Sequence, residues 1–280
     1  MILFADSCAD ITLEDSKERG IEVLPLTINI GDNNYRDQVD ISSEEVLQAI
    51  TDGERPKTSQ INPENFVESF KPVVERGESI LYIAFSSELS GTYQSAVIAR
   101  DTLLDDYPEA DITIIDTHAA SYGLGMIVES ASDDMKDGLS DEEVIKNVEK
   151  NVKNIRHFFT VNDLDYLAKG GRLSKGSAFL GGLLNIKPLL HVEDGKLVPL
   201  EKHRGIKKVY KSMIEHINDD KITGKIHIAQ SNALDSAELL KKKILEETEV
   251  KVVNISMIGP TISSHTGNGT VAMFYFNEGV

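Results

Sequence analysis

Four things are scarce in this chain, and each shortage removes a class of function. Among 280 residues there is one cysteine, Cys8, so no intrachain disulfide and no thiolate-rich zinc site can form, and a reduced cytoplasm is the expected setting. Basic residues are few: 29 Lys+Arg stand against 46 Asp+Glu, a net charge of −17 that repels phosphate backbones and anionic lipid surfaces. Nucleic acid is therefore not an expected partner, and membrane contact is expected to be at most transient. Long apolar runs are missing as well. The most apolar stretch, Phe179 to Leu190, holds Asn185, Lys187 and Pro188 and falls short of the roughly 20 residues a membrane span needs. The opening MILFADSCAD reaches Asp6 without a basic region or a long apolar core, so it reads as a first strand and not as a signal peptide. Histidine spacing offers no HExxH pair, and no strand is followed by a P-loop or GxGxxG, so metal and nucleotide sites have no motif behind them.

What is present is 40% hydrophobic residues, enough for a sizeable core, arranged around one turn. Ile80 to Phe85 is almost wholly apolar, as in a strand buried on both faces of a parallel sheet. The run then breaks into Ser86, Ser87, Ser90 and Gly91 and leads into a helix expected to reach about Leu104. Serines that cap helices, a glycine that admits close approach and unpaired helix N–H groups collect there, which suits an anion.

Upstream, Ile2 to Ala5 is a strand ending in the polar cluster Asp6 to Asp10, a second candidate ligand rim. Ile21 to Ile30 reads as an extended segment around Pro25, followed by a turn at Gly31 to Asn34. Ser42 with Glu45 forms a capping box for a helix over Glu44 to Ile50, and Asn62-Pro63 starts a helix to about Arg76. Thr58 and Ser59 fall just before that second start, where loop hydroxyls commonly bond to nearby backbone. A strand over Asp111 to Ile115 and helices over Ser121 to Lys136 and Ser140 to Asn151 complete a parallel α/β pattern.

After a strand at His157 to Val161 the pattern changes. A glycine-rich basic loop spans Gly170 to Gly176, and strands then follow one another directly, at Ile186 to Val192, Lys196 to Leu200, Lys225 to Gln230, Val250 to Ser256 and Thr270 to Phe276. Helices are expected near Ile206 to Ile217 and Ser236 to Glu247. The expected fold is α/β with two domains: residues 1–155 as a parallel-sheet α/β domain and 156–280 as an α+β domain with a mixed or antiparallel sheet. The stretch from Gly259 to Gly269 reads as a glycine-rich loop that aims His265.

Thr58, Ser90 and His265 together offer two hydroxyls and an imidazole to a carboxylate near a helix N-terminus. The same trio also suits a serine-dependent acyl hydrolase or transferase, with Ser90 as nucleophile, His265 as base and Asp6 or Asp116 to orient it, although the Gly-x-Ser-x-Gly elbow is missing.

With those residues in view, the chain resembles the DegV family, the fatty-acid-binding subunits of bacterial fatty acid kinase. The likeness runs end to end through DSCAD, DQVDISSEE, KTSQINP, SSELSGTYQSA, IIDTHAASYGLG, KGGRLSK and SSHTGNGT, in the family's order. The first motif departs from the commoner DSTSD form at Cys8 and Ala9. The resemblance implies a long-chain fatty acid buried between two domains, its carboxylate held by Thr58, Ser90 and His265, with Ser59, Gly91 and Thr266 in support. It implies no catalytic residue, no metal and no cofactor beyond the bound lipid. The partners it implies are a separate fatty acid kinase catalytic subunit and an acyltransferase that takes the acyl phosphate for phospholipid synthesis. Phe179 to Leu184 with Leu189 and Leu190 are candidates for the tail tunnel. Among the cations Lys169, Arg172, Lys175, Lys202, Arg204, Lys207 and Lys208, the expectation is that Arg172 and Arg204 lie at the mouth for kinase docking or phosphate.

Overall fold

The computed structural model describes residues 1–174 and 186–277. Lys175, Gly176 and the Phe179 to Leu184 tunnel candidates lie outside the described residues.

Four parallel strands form the first sheet: β1 (Ile2–Asp6), β2 (Ile21–Leu24), β6 (Ile80–Ala84) and β7 (Ile112–Asp116), in the order β2-β1-β6-β7. Every residue of β6 is buried, as its unbroken apolar run requires of a central parallel strand. Helices α3 (Pro63–Glu75) and α4 (Thr92–Asp106) pack on each other, and Phe66 and Phe70 of α3 meet Tyr82 and Phe4 of the sheet at ring separations of 5.1 and 4.9 Å. Helix α5 (Tyr122–Lys136) packs on α6 (Asp141–Asn154), on β6 and on α1 (Leu13–Arg19). The sequence reading passed over α1, which Thr12 caps and Gly20 closes in the left-handed region.

Ile21 to Ile30 is not one extended segment. Pro25 and Leu26 break it, the Leu26 N–H being taken by Ser7 Oγ at 3.0 Å, and the second half becomes β3 (Thr27–Ile30) of a separate sheet. There it pairs antiparallel with β4 (Asn33–Arg36) on one side and β5 (Lys57–Ser59) on the other. Thr58 and Ser59 are thus strand residues, with Thr58 opposite Ile28. Helix α2 (Ser43–Thr51) has the expected Ser42–Glu45 capping box, and α3 the expected Asn62 cap with Pro63 in its first turn.

The mixed sheet runs β10-β9-β8-β13-β11-β12, built from β8 (Ile155–Thr160), β9 (Ile186–Glu193), β10 (Lys196–Arg204), β11 (Lys225–Ser231), β12 (Val252–Met257) and β13 (Thr270–Phe276). All its pairings are antiparallel except β11 with β12. Period-two alternation sorts its side chains. Phe158, Leu189, Met273 and Tyr275 pack in a core with α8 (Ile206–Asp219) and α9 (Leu234–Glu247), whereas Phe159, Leu190, Ala272 and Phe274 join the core of the parallel sheet. That second face is the floor of the candidate site.

The stretch from Gly259 to Gly269 is not a loop. Gly259 precedes Pro260 at the first helical position, the chain makes α10 (Pro260–Thr266), and Gly267 ends it at φ +69°. Seven residues without an apolar stripe would not hold a helix alone; contacts with α2, β3, β5 and α7 (Leu164–Lys169) hold this one. Among the described residues no helix is long and apolar enough to cross a membrane.

Candidate functional site

A cavity of about 370 Å³ lies where the three sheets meet, within the common range for small-molecule sites. Its apolar wall comes from both halves of the chain: Leu26, Phe85 and Leu89 from the first, Phe159, Val192, Leu197, Ala272 and Phe274 from the mixed sheet. Phe159, Ala272 and Phe274 are there because alternation on β8 and β13 turns them away from α8 and α9. His157 shares that face, and burial pushes its pKa down to about 3, so it lines the cavity as a neutral ring. Leu189 and Leu190 do not line the cavity; they are core on opposite faces of β9.

The polar part of the wall gathers the residues expected from sequence. Thr58 Oγ1 and His265 Nε2 are 2.7 Å apart, one presented by the edge strand β5 and the other by α10. Ser90, Gly91, Ser59 and Thr266 also line the cavity. Ser90 does not cap α4 directly: Gly91 is the N-cap residue and has no side-chain cap, while Ser90 Oγ accepts the Thr92 N–H at 3.2 Å and lies 2.9 Å from Thr92 Oγ1. Gly91 lets Gln60 approach closely: a Cβ there would sit 2.2 Å from Gln60 Oε1, so a larger residue requires the glutamine side chain to move. Gln60, missed at the level of sequence although it lies in the KTSQINP motif, ties β5 to α4 through a 2.8 Å bond from Nε2 to Ser95 Oγ. Ser59 Oγ donates to Asn29 Oδ1 and Thr266 Oγ1 to the Ile262 carbonyl, so both are anchored to the frame.

Arg172 joins these parts. Its Nη1 donates to the Gly170 carbonyl at 2.7 Å and its Nε to the Leu89 carbonyl, next to Ser90, at 3.4 Å. Burial first, and the Arg172 charge second, push His265 down to about 4, so the imidazole is neutral at physiological pH. In the tautomer with hydrogen on Nε2 the ring donates to Thr58 Oγ1 and frees the threonine proton for a ligand. Two hydroxyls, a neutral imidazole and one guanidinium therefore border an apolar space. Arg204, expected beside Arg172, ends β10 opposite Ile186 and is not among the described residues that line the cavity.

The geometry an acyl-transfer nucleophile needs is not assembled here. His265 Nε2 bonds to Thr58 and Ser90 Oγ to Thr92, while Asp6 accepts from Tyr82 Oη, Phe85 N and Cys8 N, and Asp116 from Ser87 N and His118 N. The strand end at Asp6 to Asp10 is likewise not an open rim: Asp6, Ser7, Cys8 and Asp10 are buried and absent from the cavity wall.

A family model of DegV proteins matches residues 2–278. A DegV domain-containing protein of Clostridium perfringens is 42% identical over 285 residues, spanning 99% of this chain and 97% of that one. A fatty-acid-binding DegV family protein of Thermus thermophilus superposes with a TM-score of 0.90 at 30% identity, over 98% of both chains. The fatty acid kinase B3 protein of Streptococcus pneumoniae, solved loaded with linoleic acid, superposes with a TM-score of 0.85 at 26% identity, over 99% of both chains. Sequence, fold and the full-length match agree that this chain belongs to the DegV family.

Proposed function

We propose that the protein binds a long-chain fatty acid, with the tail in the apolar cavity between the units 1–155 and 156–280 and the carboxylate on Thr58, Ser90 and His265. The observation that carries this reading is the cavity's division: a mostly apolar wall with one polar border at the Thr58–His265 pair and Arg172. Roughly 15 buried methylenes at about 0.8 kcal/mol each offer some 12 kcal/mol before ordering costs, so the tail supplies affinity. The donors supply orientation, because a carboxylate buried without partners costs several kcal/mol. The solved relatives described as fatty-acid-binding, from Thermus thermophilus, Thermotoga maritima and Bacillus subtilis, support the same cargo.

In this reading the protein is a carrier and not an enzyme. It presents the acid to a separate kinase, holds the acyl phosphate and passes it to an acyltransferase for phospholipid synthesis; the loaded kinase B3 relative supports the kinase partnership. Native and denaturing mass spectrometry of freshly purified protein tests the cargo. The expected result is a mass offset of one fatty acid that disappears on denaturation; protein that is empty and also refuses fatty acid offered in excess would overturn the reading.

A further inference from the structure

Two polar side chains line the cavity from elements that take no part in the Thr58, Ser90 and His265 group: Ser121, at the turn into α5, and His157, on β8. Both are more than nine-tenths buried, at 5% and 6% exposure, in a wall that is otherwise mostly apolar. Buried polar groups are ordinarily paired, so what each still lacks shows what it can take.

Their hydrogen bonding is incomplete in complementary ways. The Ala120 N–H donates to His157 Nε2 at 3.4 Å, and burial keeps the ring neutral, so its one nitrogen-bound hydrogen sits on Nδ1. Among the described residues Nδ1 has no hydrogen-bond partner. The ring is packed in place: Nε2 lies against Gly123, where a Cβ would sit 2.1 Å from it, and Phe274 meets the ring edge-on with centroids 5.4 Å apart. Ser121 has the opposite need. Its hydroxyl does not cap α5; the proton goes to Asp10, which leaves lone pairs on the oxygen as acceptors. The backbone there is held at φ +54° and ψ −149°, a conformation that a residue with a Cβ keeps only where its surroundings enforce it. Because Ala120, whose N–H holds His157, directly precedes Ser121, the donor and the acceptor border one stretch of the wall.

A hydrocarbon chain satisfies neither group, and a buried donor without an acceptor is costly. A hydroxyl satisfies both at once, accepting from His157 Nδ1–H and donating to Ser121 Oγ, whereas a keto oxygen would answer only the histidine. We propose that Ser121 and His157 form a second polar subsite that reads a hydroxyl on the acyl chain, making monohydroxy long-chain acids the preferred class of cargo. This rests on the fatty-acid reading of the cavity and adds a selectivity that the head contacts do not supply, since Thr58, Ser90 and His265 meet every fatty carboxylate alike.

The test titrates octadecanoate and a set of monohydroxyoctadecanoates, with the hydroxyl moved one carbon at a time along the middle of the chain, into delipidated wild-type protein and a His157→Phe variant. In wild type, one hydroxy acid or two adjacent ones are expected to bind at least as tightly as octadecanoate. The remaining positions are expected to bind about tenfold or more weakly, because a hydroxyl buried without partners is penalised. In the variant the ratio of affinities, favoured hydroxy acid over octadecanoate, is expected to fall at least about tenfold. A readout on wild type alone covers a variant that fails to fold: by NMR the Nδ1-bound proton of His157 should lie further downfield with the favoured hydroxy acid than with octadecanoate. No favoured position, a ratio unchanged by His157→Phe, or the same proton resonance with both ligands would each overturn the subsite while leaving the fatty-acid reading standing. Wild-type protein that binds none of the probes, octadecanoate included, overturns both.

Discussion

Helix α10 has a polar cluster at each end, and the two are opposite in character. At its N-terminal end Asp6, Asp10 and Asp37 are buried with Cys8, and the helix contributes the Thr261 N–H to Asp37 Oδ2 at 3.3 Å. Within the first half of the chain, Ser121 donates to Asp10. Acceptors exceed donors there: Asp10 Oδ1 and Asp37 Oδ1 have no hydrogen-bond partner among the described residues. At the C-terminal end His265 meets Thr58 beside Ser90 and Arg172, and donors exceed acceptors. The first cluster carries its own carboxyl groups, which burial pushes toward the protonated form, and joins the two halves of the chain through Asp37 and Thr261; the second is completed by an anion that arrives from outside. The contrast teaches that clusters of short polar residues that look alike as candidate rims in sequence separate by the balance of donors and acceptors once folded.

Removing a carboxylate from the first cluster should give the largest effect. Asp6→Ala strands the buried Tyr82 hydroxyl and the N–H groups of Phe85 and Cys8, and should cost about 3 kcal/mol or more in urea unfolding of the lipid-free protein. An unchanged midpoint would show that the cluster is not structural.

Asp37→Asn sharpens the contrast through pH. Burial pushes Asp37 up from 3.8 to about 6, so its protonated form is favoured in the folded state. The stability this provides is complete below the unfolded value and is lost as pH rises through about 6. The asparagine variant lacks that loss, so its stability relative to wild type should rise by up to about 3 kcal/mol between pH 4 and 7. Parallel stability curves for the two proteins would contradict the assignment.

At the other end of the helix, His265→Ala and Thr58→Val should leave melting temperatures within a few degrees. Each should weaken fatty-acid binding about 10- to 100-fold, the cost of one or two donors to a buried carboxylate. Variants that lose stability but not affinity would merge the two clusters into one structural role. The smallest effect is a shift in titration. In lipid-free protein the His265 ring should titrate near 4 by NMR, and a bound carboxylate, which favours the imidazolium, should move that midpoint upward. A midpoint unmoved by saturating lipid would place the carboxylate elsewhere.

Much of the frame was legible because its signals are local. The capping box at Ser42 and Glu45, Asn62-Pro63 at the head of α3, and the apolar run of β6 each specify an element within a few residues. Elements stabilised from outside were not legible. β5 is three residues long and exists because β3 pairs with it, and α10 reads as a glycine-rich loop because its helical state depends on the elements packed around it. The site divides the same way. Hydroxyls and an imidazole at Thr58, Ser90 and His265 stood out, but residues 58 and 265 are brought into contact by tertiary packing alone. The cavity wall could have been anticipated from parity on β8 and β13, where Phe159 and Phe274 fall on the face opposite Phe158 and Tyr275. Nothing local distinguishes Arg172, on the wall, from Arg204 at the end of β10. Their separation depends on where the β9–β10 hairpin docks, fixed in part by the 2.8 Å bond from Ser86 Oγ to the Gly195 carbonyl.

The most direct test of the central claim is a crystal structure of the protein loaded with a fatty acid brominated near its tail, with the bromine located by anomalous scattering. The account predicts bromine in the apolar cavity near Phe159 and Phe274, and carboxylate oxygens within about 2.5–3.2 Å of Thr58, Ser90 or His265. Bromine at the Thr58–His265 end, or lipid bound only outside the cavity, would contradict it.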